Sequence, residues 1–140
     1  PKLQPDQCCI INLQNATDAK GKPLPGTHWI SAGKKGALPW AFDSFGLPPP
    51  VEVLTALGNP KNYASNSRVL QSADSEYCGD FALGACIATR LSGSMGAQES
   101  IDRFTNQFRN ADLTRHDQLI ENFLKEHSRS SHSDPQHRQD

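Results

Sequence analysis

A cysteine at the start of a buried helix is the residue in this chain best placed to act as a nucleophile. The stretch Leu70-Gln71-Ser72-Ala73-Asp74-Ser75-Glu76-Tyr77-Cys78 leads into a segment from Gly79 to Leu91. There Phe81, Ala82, Leu83, Ala85, Cys86, Ile87, Ala88 and Leu91 leave little polar face, so the spacing predicts a helix sunk in the core. Cys78 stands at its N-terminal end, where unpaired backbone N–H groups and the positive end of the helix dipole favour the nucleophilic thiolate. Glu76 and Asp80 oppose this with negative charge alongside.

Attack on a carbonyl also requires a base, a group to orient that base, and donors for the developing oxyanion. His28, Asp43 and Gln71 are the upstream candidates. His28, in Gly26-Thr27-His28-Trp29-Ile30, reads as the start of a strand, and Asp43, in Trp40-Ala41-Phe42-Asp43-Ser44-Phe45-Gly46, as the exit from the next. A hairpin turning at Gly33-Lys34-Lys35-Gly36 would set these two ends side by side. Gln71 is expected to follow a further strand at Arg68-Val69-Leu70. Its side-chain N–H₂, with the backbone N–H of Cys78, could hold an oxyanion, and one aligned donor of this kind contributes about 3 kcal/mol. Each residue also has a plainer reading: Cys78 as a small core residue, Asp43 and Asp74 as turn residues, Gln71 as a strand-end amide. Trp29 and Trp40 read first as packing aromatics, with Trp29 also a candidate wall for a substrate cleft.

The His28-Trp29 pair, the run Phe42-Asp43-Ser44-Phe45-Gly46, Gln71 seven positions before Cys78-Gly79, and the helix that follows resemble the adenain-type cysteine proteases. These are the adenoviral protease and its virus and transposon relatives, which share a fold with SUMO-specific proteases. Cys9-Ile10-Ile11-Asn12-Leu13 resembles the strand preceding their His-Trp motif. Tyr63 with Arg68-Val69-Leu70-Gln71 resembles their strand leading to the glutamine, and Phe104 to Leu124 their C-terminal helical pair. The likeness covers roughly Cys8 to Lys125 with the order His, Asp, Gln, Cys kept. It implies an α+β fold with a small, mainly antiparallel sheet flanked by helices, and a catalytic set of His28, Asp43, Gln71 and Cys78 with Trp29 on the substrate side. It also implies hydrolysis of viral polyprotein or capsid precursors, often after small residues, without a cofactor, in an infected cell or packaged in the virion. Two rival expectations stand beside it: a virion or capsid-associated structural protein that keeps the fold without cutting, and a deubiquitinase or deSUMOylase.

At 140 residues the chain is expected to form one domain over 1–125 with a disordered polar tail over 126–140, where nothing apolar is left to bury. The family's helical lead-in is expected to be short or missing, and a chain starting at Pro1 to be a processed or trimmed product. A net charge of −1 gives no overall field to attract nucleic acid or a membrane surface. No apolar run approaches the roughly 18 residues that span a bilayer, and no signal-peptide pattern opens the sequence. The expectation is a soluble, intracellular protein whose partners are polypeptide substrates.

Of the four cysteines, Cys8 and Cys9 are adjacent and Cys78 and Cys86 share a helix, a pattern that suits a reducing compartment rather than a disulfide framework. Cys8 and Cys9 read as half-buried strand residues and Cys86 as a core residue. No metal-ligand spacing accompanies them, and His127, His132 and His137 lie in the expected tail, so no metal is expected. Residues 15–26 read as a loop, Pro48-Pro49-Pro50 as a stiff connector into a short helix at 51–57, and residues 61–67 as a loop. Pro39 has to occupy an edge position or a bulge. Apolar stripes predict helices at Ser100–Arg109 and His116–Lys125, with His116 on the solvated side.

Overall fold

The computed structural model describes residues 2–13, 28–72, 75–109 and 111–132, and of residues 129–132 the backbone alone. The expected loop at 15–26, Asp74, and the tail beyond 132 with His137 lie outside the described residues. The elements in chain order are β1 (Cys8–Asn12), β2 (Trp29–Lys35), β3 (Leu38–Phe42), α1 (Val51–Ala56), β4 (Ala64–Ser65), α2 (Cys78–Leu91), α3 (Ala97–Asn106) and α4 (Leu113–His132). The fold is α+β. Its four strands form one mixed sheet in the order β1-β2-β3-β4, with antiparallel pairings except for the parallel β3–β4 contact.

Alternation along the strands sends side chains to opposite faces. Ile30, Ala32 and Ala41 pack with Val53 and Leu57 of the α1 segment. Trp40 and Phe42 face the larger core built with Phe81, Ala85 and Cys86 of α2, Ile101 and Phe104 of α3, and Ile120 of α4. Phe104 touches the rings of Phe42, Phe108 and Phe123 at centroid separations of 5.6, 5.5 and 5.3 Å. Such edge contacts add about 0.5–1.5 kcal/mol each beyond the area they bury. Gly84 lets α2 meet α3 and α4, since a Cβ there would lie 2.7 Å from Ile120 and 2.8 Å from Phe104.

Several boundaries differ from the sequence expectation. The β2–β3 turn is the two-residue link Gly36-Ala37, with Lys35 paired to Leu38 and Gly36 at φ +58°. Gly33 therefore lies inside the strand. It is needed there because a Cβ would come within 2.5 Å of the Gln7 carbonyl oxygen and 2.7 Å of Cys8 Cβ. Pro39 pairs with Lys34, whose own N–H is directed to the Gln7 carbonyl at 2.8 Å on the β1 side. The proline nitrogen consequently points away from β2, to a side where β4 starts only opposite Trp40, so its missing N–H costs no ladder bond.

The fourth strand is Ala64–Ser65, inside the expected loop, rather than Arg68–Leu70. The Leu70 N–H to Ser44 carbonyl bond, at 2.8 Å, ties that later segment to the end of β3. Two residues are too few to carry a period, and Asn66 closes the strand by bonding the Asp43 backbone through its side chain. The last helix continues past Lys125 to His132 rather than giving way to a tail at 126. No proline interrupts it before Pro135, and His127 lays its ring 4.2 Å from that of Phe123. Among the described residues no helix is long and apolar enough to cross a membrane.

Candidate functional site

The open end of the β2–β3 hairpin brings two of the candidates together. His28 immediately precedes β2, and its carbonyl accepts the Leu13 N–H at 2.8 Å, extending the β1–β2 ladder. Asp43 follows the last residue of β3. Their side chains meet with His28 Nε2 3.0 Å from Asp43 Oδ1, and the side chains are 20% and 8% exposed. With Nε2–H assigned as donor to the carboxylate, the basic lone pair of a neutral ring falls on Nδ1. The Phe45 ring lies 5.1 Å from the imidazole and tilted against it.

Asp43 is held from all sides. Its N–H donates to Asn66 Oδ1 at 3.1 Å, and its carbonyl accepts Asn66 Nδ2 at 2.7 Å and the Gly46 N–H at 2.8 Å. Oδ1 also accepts the Phe45 N–H at 2.8 Å. The turn reading and the orienting reading of this aspartate therefore coexist, because one carboxylate oxygen caps the turn and holds the ring. Gly46 makes the turn feasible: it sits at φ +72°, and a Cβ would lie 2.7 Å from the Ser67 carbonyl oxygen.

Cys78 is the first residue of α2 and is 7% exposed. The Trp29 N–H donates to its sulfur at 3.4 Å. The thiol is thus bonded to the residue next to His28, at a helix end whose dipole favours negative sulfur. The Trp29 indole lies over Gly79, where a Cβ would stand 3.7 Å from the ring. Trp40 is 1% exposed and belongs to the core, whereas Trp29 belongs to the site.

Gln71 is 1% exposed and serves the same region differently. Its Oε1 accepts the Ser44 hydroxyl, and its Nε2 donates to the Ser75 carbonyl at 2.8 Å and to Ser75 Oγ at 3.2 Å. The amide ties the turn after β3 to the turn before α2, and its hydrogens are directed at Ser75 rather than at open space. Ser75 Oγ in turn donates to Asp117 Oδ1 at 2.8 Å. An acidic group lies beyond it: Tyr77 donates to Glu121 at 3.1 Å. Burial first, then the Glu121 and Asp117 carboxylates, raise the Asp80 pKa above the ordinary carboxylate value.

Two polar residues that brace the candidate site were missed in the sequence. Asn66 bears no periodic signal. His116, expected on the solvated side of its helix, is only 3% exposed. Its Nδ1 lies 2.7 Å from the Leu70 carbonyl oxygen, and its Nε2 lies 2.9 and 3.0 Å from those of Phe108 and Ala111. The ring lies on the buried stripe of Ile120 rather than on the solvated side. The four-residue spacing between them was the available clue. Among the described residues no group of three His, Cys, Asp or Glu side chains is arranged to hold a metal.

Comparison with protein families, with curated proteins and with solved structures finds no match to this chain.

Proposed function

We propose that the protein is an adenain-like cysteine endopeptidase with Cys78 as nucleophile, His28 as base and Asp43 as the group that orients the base. The observation that carries this reading is the continuity of the set: Asp43 Oδ1 lies 3.0 Å from His28 Nε2, and the next residue's N–H reaches Cys78 Sγ at 3.4 Å. The ring nitrogen opposite Asp43 takes the thiol proton, the thiolate attacks the peptide carbonyl, and the imidazolium returns the proton to the leaving amine. Water then releases the acyl-enzyme. Backbone N–H groups at the start of α2 supply oxyanion donors, and Gln71 adds one when substrate displaces its bond to Ser75. Trp29, lying over Gly79, narrows the approach to the sulfur and suits substrates with small residues before the cut bond. Viral polyprotein or capsid precursors are the substrate class that the resemblance suggests, with the enzyme acting in an infected cell or within the virion.

One observation favours a second reading, a virion structural protein that keeps this fold: both Gln71 hydrogens are directed at Ser75. Alkylation of Cys78 by iodoacetamide between about pH 5 and pH 9 separates the two, since a thiolate paired with imidazolium reacts well below the range of an ordinary thiol. The endopeptidase reading expects fast labelling at the acid end that is lost in His28→Ala, together with cleavage of capsid precursors by wild type alone. Slow labelling that rises only at alkaline pH, unchanged in His28→Ala, overturns it.

A further inference from the structure

A second sulfur centre lies two helical turns along α2 from Cys78. Cys8, at the start of the edge strand β1, packs against the core cluster that contains Cys86. It also lines a cavity of about 230 Å³ with Thr89 and Arg90, the α2 residues three and four positions beyond Cys86 on the same helix face. Cys8 can sit this deep because its partner across the ladder is Gly33, where any Cβ would strike it. The Cys86 thiol and the Arg90 guanidinium both act on the Cys8 thiol. Cys86 is 4% exposed, whereas Cys8 is half-buried and reachable through the cavity.

We propose that Cys8 and Cys86 form a peroxide-responsive dithiol that closes to a disulfide between β1 and α2. The two sulfurs differ in the way such a reaction needs. The neighbouring Cys86 thiol, opposed by partial burial and aided by Arg90, draws the Cys8 thiol down to about 7. The same contact and burial push Cys86 up, so it stays a thiol. Cys9, on the other face of the strand, is also pushed up, by burial and by the charge of Cys8.

In the first step the Cys8 thiolate attacks hydrogen peroxide. A sulfur–oxygen bond forms, the oxygen–oxygen bond breaks, and the departing hydroxide takes a proton to become water, leaving a sulfenic acid. In the second step the Cys86 sulfur attacks the Cys8 sulfur. The sulfur–sulfur bond forms, the sulfur–oxygen bond breaks, and the departing hydroxide takes the Cys86 proton as a second water. Two thiols are oxidised and one peroxide is reduced. Arg90, Lys34 and Lys35 border the cavity and Asp6 is the one acid there, so the surroundings favour the thiolate that begins the sequence.

The test uses the full chain, reduced and then exposed to a small excess of hydrogen peroxide. It is afterwards denatured, alkylated with iodoacetamide and mapped by mass spectrometry. The expected result is that two of the four cysteines escape alkylation and that the peptides bearing Cys8 and Cys86 are recovered joined. Cys78→Ser forms the same link, which keeps this centre distinct from the proposed peptidase. Cys86→Ser stops at a Cys8 sulfenic acid that dimedone traps. A link between Cys8 and Cys9 or between two chains, or a Cys8 and a Cys86 that both remain alkylatable after treatment in the Cys78→Ser chain, overturns the proposal.

Discussion

One helix carries two cysteines, and their surroundings differ in nearly every respect that governs sulfur. Cys78 opens α2, takes a backbone N–H from Trp29, and lies near an imidazole–carboxylate pair and an acidic group. Cys86 lies mid-helix in the core, and its polar neighbour is another thiol on a strand flanked by cations. In the proposed peptidase the first arrangement would supply a proton acceptor and oxyanion donors for attack on a carbonyl. The second supplies a resolving thiol and a positive field, which suits oxidation. Helix position adds a further difference: the N-terminal turn has unpaired N–H groups to offer, and the middle has none.

Asp43→Asn should break the first centre and spare the second. The amide keeps the shape but no longer fixes the imidazole tautomer or supports its positive charge, so peptidase turnover is expected to fall on the order of 10²–10⁴-fold. Peroxide closure of Cys8 with Cys86 is expected to proceed as in wild type, measured on the same sample by peptide mapping. Equal loss of both would mean that the variant unfolds the sheet rather than disarms the base.

His116→Leu should weaken the frame on the Cys78 side alone. The carbonyls of Leu70 and Ala111 would face a hydrocarbon, while that of Phe108 keeps the Ala111 N–H, and a buried acceptor left without its donor costs about 1–3 kcal/mol. Urea unfolding should register the loss. Amide hydrogen exchange should rise at residues 70–72 and stay unchanged in β1. A uniform rise in exchange across both regions would show that the two centres share one cooperative unit.

Gly33→Ala acts on the other side. Its Cβ meets the Gln7 carbonyl oxygen at 2.5 Å, a backbone atom that cannot rotate away, so β1 has to shift at a cost of about 1–3 kcal/mol. The yield of the Cys8–Cys86 disulfide should drop, while alkylation of Cys78 keeps its wild-type pH profile.

The sequence made the meeting of His28 and Asp43 more legible than the joints that set it. His28 and Asp43 could be paired because two apolar strands joined by a short turn must bring their far ends together, a constraint independent of exact boundaries. The start of α2 was visible because apolar residues crowd its length. Hidden from the sequence was whatever depends on contacts across the chain. A two-residue strand has no period, Asn66 acts through its side chain on a backbone 23 residues away, and His116 is drawn inward by carbonyls of Leu70, Phe108 and Ala111. The Cys8–Cys86 contact also joins residues that no local pattern relates. Gln71 was found, but its partner was not: the amide faces Ser75, a contact set by the turn before α2.

The smallest expected effect tests the charge contrast between the two sulfurs. Asp80, in the first turn of α2, is placed where the helix dipole favours a carboxylate. Its pKa is nonetheless raised, by burial and then by Glu121 and Asp117, so those influences outweigh the dipole. A carboxylate whose folded pKa exceeds its unfolded value penalises the folded state when ionised. That penalty is absent below the ordinary value of 3.8 and is complete once pH passes the raised folded value. Asp80→Asn is therefore expected to raise Tm at neutral pH by about one to two degrees, the small size reflecting its only partial burial, and to give no gain near pH 3. Removing the negative charge beside Cys78 should also quicken its alkylation at neutral pH, while Cys8, on the cationic side, keeps its rate. Unchanged Tm at both pH values would mean that the dipole balances the acidic neighbours and that the two sulfur environments differ in hydrogen bonding rather than in charge.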